Sequence, residues 1–150
     1  MTHRYDLSVI IPAWNGCGRI RTCLSALTSL GAHIVVVDNA SSDETPDIVR
    51  EEFPDSVLIS LPVNRGFAAA VNAGMRATRS TTILLLNQDA TVIPGGIEIL
   101  RDTLKHDPRC GAVSGKIENP DGTLQPSMGP RPHPLRVALD RVPLVRDVIP

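Results

Sequence analysis

The sequence predicts an α/β domain with a mostly parallel, doubly wound sheet and helices on both faces, and three observations carry that prediction. Short, continuous apolar runs recur along the first half of the chain. Segments with the apolar spacing of a helix lie between them. Three of the runs lead into polar stretches. At 150 residues the chain is most simply one domain, and a domain of this size buries roughly 68–70% of the surface its unfolded chain exposes.

Taken in order, Val9-Ile10-Ile11 is the first candidate strand and runs into Pro12-Ala13-Trp14-Asn15-Gly16. Ile20, Cys23, Leu24, Leu27 and Leu30 then form one helical stripe, with Gly31 as a C-terminal stop. Ile34 to Val37 is the second strand, β-branched throughout, and ends in Asp38-Asn39-Ala40-Ser41-Ser42-Asp43. Thr45-Pro46 reads as an N-cap followed by proline at the first helical position, with Ile48, Val49 and Phe53 facing inward and Pro54 beyond the end. Val57-Leu58-Ile59 is the third strand and leads to Asn64-Arg65-Gly66-Phe67, which opens a helix with a stripe of Phe67, Ala70, Val71, Gly74 and Met75. Ile83 to Leu86 is the fourth strand and meets Asn87-Gln88-Asp89. Ile97, Leu100 and Leu104 form a last stripe, with Lys105 and His106 near its negative C-terminal end.

The pattern changes near residue 110. Ala112-Val113-Ser114 is expected to add one more strand, and Asn119-Pro120-Asp121-Gly122 is turn chemistry expected to join two short strands. From Pro126 onward, Pro130, Pro132, Pro134, Pro143 and Pro150 exclude a long regular helix or central strand. The chain therefore divides into residues 1–125 and a proline-rich tail, 126–150.

Composition narrows the function classes. Fifteen basic residues against 16 acidic ones give a net charge of −1, so no bulk electrostatic pull toward nucleic acid or anionic membrane is implied. Cys17, Cys23 and Cys110 are odd in number and lack metal-site spacing, which fits a reducing, cytoplasmic setting rather than a disulfide framework or zinc site. His3, His33, His106 and His133 are scattered and show no ligand spacing. The opening residues lack the apolar stretch of a secretory signal, and no apolar run approaches the roughly 20 residues that span a bilayer. The expectation is a soluble chain, with peripheral membrane contact left open.

In open parallel sheets, ligands bind outside the carboxyl ends of the strands. If the four strands are parallel, Asp38, Arg65, Asp89, several amides and helix N-termini share one rim. Such a rim suits a ligand with a hydrogen-bonding base, a ribose and a metal-bound diphosphate. Each residue also has a plainer reading: Asp38 as acceptor for its own loop amides, Arg65 as a surface cation, Asp89 as a turn cap and Trp14 as a packing residue. Asp43 and Glu44 read as first-turn acids favouring a helix dipole. A dinucleotide-binding turn at Gly16-Cys17-Gly18 is disfavoured, because Arg21 stands where that fingerprint needs a small residue.

The ordered set Ser8 to Asn15, Val35 to Thr45, Asn64 to Gly74 and Leu84 to Ala90 resembles family 2 glycosyltransferases of the GT-A fold, notably the bacterial rhamnosyltransferase-like subgroup. The likeness runs from about residue 7 to 128. It implies a Rossmann-like, mostly parallel sheet and a nucleotide-diphospho-sugar donor. Pro12, Ala13, Trp14 and Asn15 would line the nucleotide pocket, Asp38 would accept from the base, and Arg65, Gly66 and Asn87 would help hold the nucleotide. Asn87-Gln88-Asp89 stands in the place of the family's D-x-D motif, so Asp89 would be the carboxylate for Mg²⁺ or Mn²⁺. One carboxylate suffices where phosphates and waters supply the other ligands.

The resemblance further implies sugar transfer with inversion to a saccharide or lipid-linked saccharide acceptor, in cell-surface polysaccharide synthesis at the inner face of the plasma membrane. Residues 1–125 would be the donor-binding half. The family's general base and most of its acceptor pocket come from a later region, expected to be missing beyond Pro150. Asp140 and Asp147 do not match the base motif, so the base is unassigned. The alternative expectation is a non-catalytic nucleotide-sugar-binding or scaffolding module, whose proline-rich tail meets a partner protein.

Overall fold

The computed structural model describes residues 5–126. The proline-rich tail beyond Pro126, with Asp140, Asp147 and His133, lies outside the described residues, as does His3. The chain divides into two compact units, Met1–Ile97 and Glu98–Pro150. The boundary read from the prolines at 125/126 falls inside the second unit.

The first unit is the expected doubly wound sheet. β1 (Leu7–Ala13), β2 (His33–Asp38), β3 (Val57–Ser60) and β4 (Thr82–Leu85) are all parallel, in the order β3-β2-β1-β4. Between them run α1 (Ile20–Ser25), α2 (Thr45–Glu52) and α3 (Phe67–Arg76). The period-2 alternation of the strands sorts the core into two layers. Val9, Ile11, Ala13 and Val36 pack on one face with Ile20, Leu24 and Leu27 and with Ile48 and Val49 of α2. Ile10, Val35 and Val37 pack on the other with Ala70 of α3. Each of these fully buried branched side chains contributes about 1.5–3 kcal/mol.

Three details differ from the sequence reading. α1 stops at Ser25, because the chain tightens into three-residue turns: Leu27 N–H bonds Leu24 C=O and Leu30 N–H bonds Leu27 C=O, each at 3.0 Å. The stripe survives, since Leu27 remains buried, and Gly31 supplies the stop with φ +62°. On α3 the packed stripe is Ala70, Ala73 and Gly74, whereas Phe67 and Met75 are exposed. Small residues are needed because the helix lies close on the sheet. A Cβ at position 74 would stand 2.5 Å from Ile10 Cγ2 and 3.2 Å from Val37 Cγ2. Thr45 does not cap α2, although proline does open it: the helix already includes Thr45, and its hydroxyl serves another loop.

At the N-terminal end of the sheet sits the buried hydroxyl of Ser8, a polar group inside a strand. It bonds the hydroxyls of Thr78 and, at 2.8 Å, Ser80, with His33 Nδ1 at 3.3 Å. The cluster satisfies a group that would otherwise cost stability in this position.

The second unit carries most of α4 (Gly96–His106) and a hairpin of β5 (Ile117–Glu118) and β6 (Leu124–Gln125). The Asn119-to-Gly122 turn joins these strands as expected: Asn119 N–H bonds Thr123 C=O at 2.8 Å, and Gly122 adopts φ +81°. Ala112-Val113-Ser114 is not a strand. Its apolar run is too short to bury a face without a paired neighbour. Among the described residues, no helix is long and apolar enough to cross a membrane.

Candidate functional site

The strand order places the change of direction between β1 and β4. From β1 the chain builds outward through β2 to β3, then α3 returns it to the other side of β1. Such a switch point leaves a crevice at the carboxyl ends of those two strands, β1 and β4. A cleft of about 490 Å³ lies there, lined by Pro12, Ala13 and Trp14 after β1, Asn39 after β2, Asn64, Gly66 and Phe67 before α3, and Asn87, Gln88 and Asp89 after β4. Its size is that of a small-molecule site.

The register explains why these loops converge. Ala13 pairs with Asp38 and Asp38 with Ser60, so three strands end level. Ile10 pairs with Leu85, and Leu86 N–H bonds Ile10 C=O at 3.1 Å. That brings residues 87–89 alongside Trp14.

Of the residues singled out from sequence, Pro12, Ala13, Trp14, Gly66, Asn87 and Asp89 line the cleft. Asn15, Asp38 and Arg65 do not, although all three belong to the rim loops. Asn15 adopts φ +47° and turns its amide to the neighbouring loop: its Oδ1 accepts the Ser42 N–H at 2.9 Å, and its own N–H donates to Ser41 Oγ at 2.9 Å. Asp38 is buried, and its Oδ1 accepts the Ser41 N–H at 3.1 Å, which is the plainer loop-capping role. Arg65 contributes its backbone N–H to Asn39 Oδ1 at 2.9 Å.

Several residues that the sequence left without a role, or to which it gave a different one, organise the site. Asn39 is buried; besides accepting from Arg65, it donates to Asn64 Oδ1 at 2.9 Å, and Asn64 Oδ1 also accepts the Gly66 N–H at 2.9 Å. This amide relay holds the start of α3 against the end of β2. Asp43 accepts the Cys17 N–H, the Thr45 N–H and the Thr45 hydroxyl, at 3.0, 3.0 and 2.5 Å. The Thr45 hydroxyl oxygen in turn accepts the Gly16 N–H at 2.8 Å. Burial pushes the Asp43 carboxyl up, but the hydrogen bonds from Thr45 and Cys17 outweigh it and hold it down at about 2. Asp43 is thus a loop anchor rather than a free helix-dipole acid. A polar residue flanking a strand end was the only signal in the sequence, and it does not distinguish an anchor from a ligand contact.

Gln88 bridges the loops after β1 and β4. Its Oε1 accepts the Trp14 N–H and its Nε2 donates to the Trp14 C=O, both at 3.0 Å. Asp89 is half-exposed and pairs with Arg19, Nη1 to Oδ2, at 3.3 Å. Nothing in the local sequence marks Arg19, because the contact joins residues seventy positions apart. Behind this wall, burial first and the Asp89 charge second push the Cys23 thiol up to about 11, so it is inert; it donates weakly to the Asn87 C=O at 3.6 Å.

Among the described residues, no three His, Cys, Asp or Glu side chains come together to hold a metal ion. The cleft wall offers one half-exposed carboxylate, Asp89, and the neighbouring Asn87 amide. Such a hard-oxygen set fits Mg²⁺ or Mn²⁺ only when a ligand's phosphates and waters complete the shell. Phosphate is suited to the place for a second reason. α3 begins at the cleft wall with no side chain capping its first N–H groups, which favour negative charge.

A family model, glycosyl transferase family 2, matches residues 8–144. The chain is similar to an N-acetylglucosaminyl-diphospho-decaprenol L-rhamnosyltransferase of Mycobacterium tuberculosis, 27% identical over 135 residues, covering 83% of this chain and 44% of the relative. It is similar to a poly-beta-1,6-N-acetyl-D-glucosamine synthase of Staphylococcus aureus, 27% identical over 125 residues, covering 79% of this chain and 30% of that one. The chain therefore spans less than half the length of these relatives. Its fold matches that of S. aureus TarS 1–349 with a TM-score of 0.59 and 21% identity, over 67% of this chain and 32% of that one. The same structure solved with UDP-GlcNAc matches with the same TM-score at 22% identity, over 67% of this chain and 31% of that one.

Proposed function

Because this chain belongs to glycosyl transferase family 2, we propose that its cleft binds a nucleotide-diphospho-sugar, with Mg²⁺ or Mn²⁺ at Asp89, and serves inverting transfer of the sugar. The acceptor in this reading is a saccharide or lipid-linked saccharide in cell-surface polysaccharide synthesis, as the names of the rhamnosyltransferase and the glucosamine-polymer synthase suggest. A cytoplasmic site, at the inner face of the plasma membrane when the acceptor is lipid-linked, goes with it.

The observation that carries the reading is the convergence of Trp14, Asn64, Gly66, Asn87 and Asp89 on one cleft at the switch point of a parallel sheet. Trp14 and Phe67 expose apolar ring surface there, at 53% and 54%, on which a flat base or a sugar face can lie. The Asn64 amide, its oxygen engaged by Asn39 and Gly66, presents N–H groups for ligand carbonyls. The open N-terminus of α3 favours the charge of a diphosphate.

Asp89 and Asn87 would hold the divalent ion, which when bound neutralises charge on the departing diphosphate as a Lewis acid. The residues of this chain bind and orient the donor; no described carboxylate is assigned the proton transfer from the acceptor. Calorimetry with UDP, GDP and dTDP, each with and without Mn²⁺, tests the reading. Metal-dependent binding of at least one supports it, and no binding of any defeats it. Binding without sugar transfer would leave a nucleotide-sugar-binding module.

A further inference from the structure

Resting on that reading, we propose that Gln88 is a positioning residue of the donor site: its amide ties the loop after β1 to the loop after β4 and so sets Trp14 and Asp89 in place relative to each other. Two independent observations point to it. The first is the pairing of the Gln88 amide with both polar groups of the Trp14 backbone, N–H and C=O, at 3.0 Å each. This is the two-bond pattern of a strand ladder, made by a side chain across 74 positions.

The second is the space kept for that amide. A Cβ at Gly16 would stand 2.2 Å from Gln88 Oε1, 2.5 Å from Cδ and 3.0 Å from Nε2. Those are the three heavy atoms nearest to it. Gly16 is not among the glycines with positive φ, so its backbone does not require glycine; the neighbouring amide does. Asparagine at 88 would be one methylene too short to bridge both Trp14 groups, and glutamate would lose the donor to the Trp14 C=O.

The neighbours of Gln88 in the chain, Asn87 and Asp89, both line the cleft, as does Trp14. Without the clamp, the two loops retain only the exposed, weak Arg19–Asp89 pair and backbone tethers further down the strands, such as Leu86 N–H to Ile10 C=O. The ring that would contact the donor and the carboxylate that would face its phosphates then lose their common reference. Preorganisation of this kind acts on ligand affinity rather than on global stability.

Trp14 is the only tryptophan, so its fluorescence reports nucleotide entering the cleft. The experiment titrates the full chain with UDP, GDP and dTDP in Mg²⁺, for wild type, Gln88→Ala, Gly16→Ala and the double variant, alongside thermal melts. Because the Gln88 amide is the far end of a flexible side chain, the methyl of Gly16→Ala displaces it rather than unfolding the protein. The expected result is about tenfold weaker binding of the tightest nucleotide in each single variant, with nearly unchanged melting. The double variant is no weaker than Gln88→Ala, because the methyl no longer meets the amide.

Additive losses, or unchanged affinity in Gln88→Ala, overturn the proposal while wild-type binding upholds the nucleotide site. A drop in melting temperature with unchanged affinity marks a purely structural clamp and also overturns it. No response of wild-type Trp14 to any of the nucleotides overturns both.

Discussion

Arg19 Nη1 stands 3.3 Å from Asp89 Oδ2, so the one carboxylate that lines the cleft among the described residues faces a guanidinium from the loop before α1. Both side chains are substantially exposed, at 73% and 46%. An exposed pair of this kind is weak and easily displaced. A divalent cation at Asp89, as proposed, would compete with Arg19 for the same oxygen. Arg19→Gln should therefore tighten Mn²⁺ binding to the nucleotide-loaded protein by about two- to fivefold, the range an exposed ion pair allows. Titration of free Mn²⁺ by electron paramagnetic resonance checks it; unchanged affinity would show that Arg19 does not guard the site.

Asp89→Asn separates a ligand-binding acid from a turn residue. Asparagine keeps the shape and the acceptor oxygen but loses the charge. Mn²⁺-dependent nucleotide affinity should fall at least about tenfold, while stability changes by less than about 0.5 kcal/mol, as for most exposed substitutions. Calorimetry and urea unfolding read the two quantities separately. Unchanged affinity would return Asp89 to a capping role, which asparagine fills nearly as well.

Gly74→Ala tests how closely α3 lies on the sheet. Its new methyl would meet Ile10 Cγ2 at 2.5 Å, and Ile10 is fully buried and cannot swing away. Overpacking of this kind costs about 1–3 kcal/mol. Alanine is otherwise the better helix former by about 1 kcal/mol, so a measured destabilisation in denaturant would report the clash alone. A stabilised variant would mean that the helix sits further from β1.

Asp43 gives the first unit an acid dependence. Its carboxyl is held at about 2, below its ordinary value of 3.8, chiefly against burial and by the bonds from Thr45 and Cys17. A depressed carboxylate stabilises the fold above its unfolded value and loses that contribution as pH falls towards the folded one. The wild type should therefore lose about 1–2 kcal/mol between roughly pH 4 and pH 2 from this group, after allowance for solvent screening. Asp43→Asn should be less stable at neutral pH and show a shallower loss across that window. Thermal melts over a pH series check both points.

The sheet was legible in the sequence because burial on both faces leaves a local mark. Val9 to Ile11, Ile34 to Val37 and Ile83 to Leu86 are unbroken apolar runs, and each becomes or overlaps a strand. The rim was legible for a related reason. Strands of a parallel sheet share a direction, so the polar residues that end them gather at one edge, and Trp14, Gly66, Asn87 and Asp89 could be expected together. Periodicity misread α3, since Phe67 and Met75 continue its apolar stripe yet face outward. Spacing shows which residues share a helix face; it does not show how near the helix approaches its support, which Gly74 decides.

The sequence by itself determined the layers of the first unit and the edge at which its loops meet, because hydrophobic period and strand direction are properties of short segments. Only the tertiary structure decided which polar side chain serves which loop. Asp38 and Asn15 turn to the Ser41–Ser42 backbone, Asp43 gathers Cys17 and Thr45, Gln88 grips Trp14, and Arg19 reaches Asp89. Hydrogen bonds and ion pairs act over about 3 Å. Their partners are set by where folded loops come within that distance, and no spacing along the chain records it.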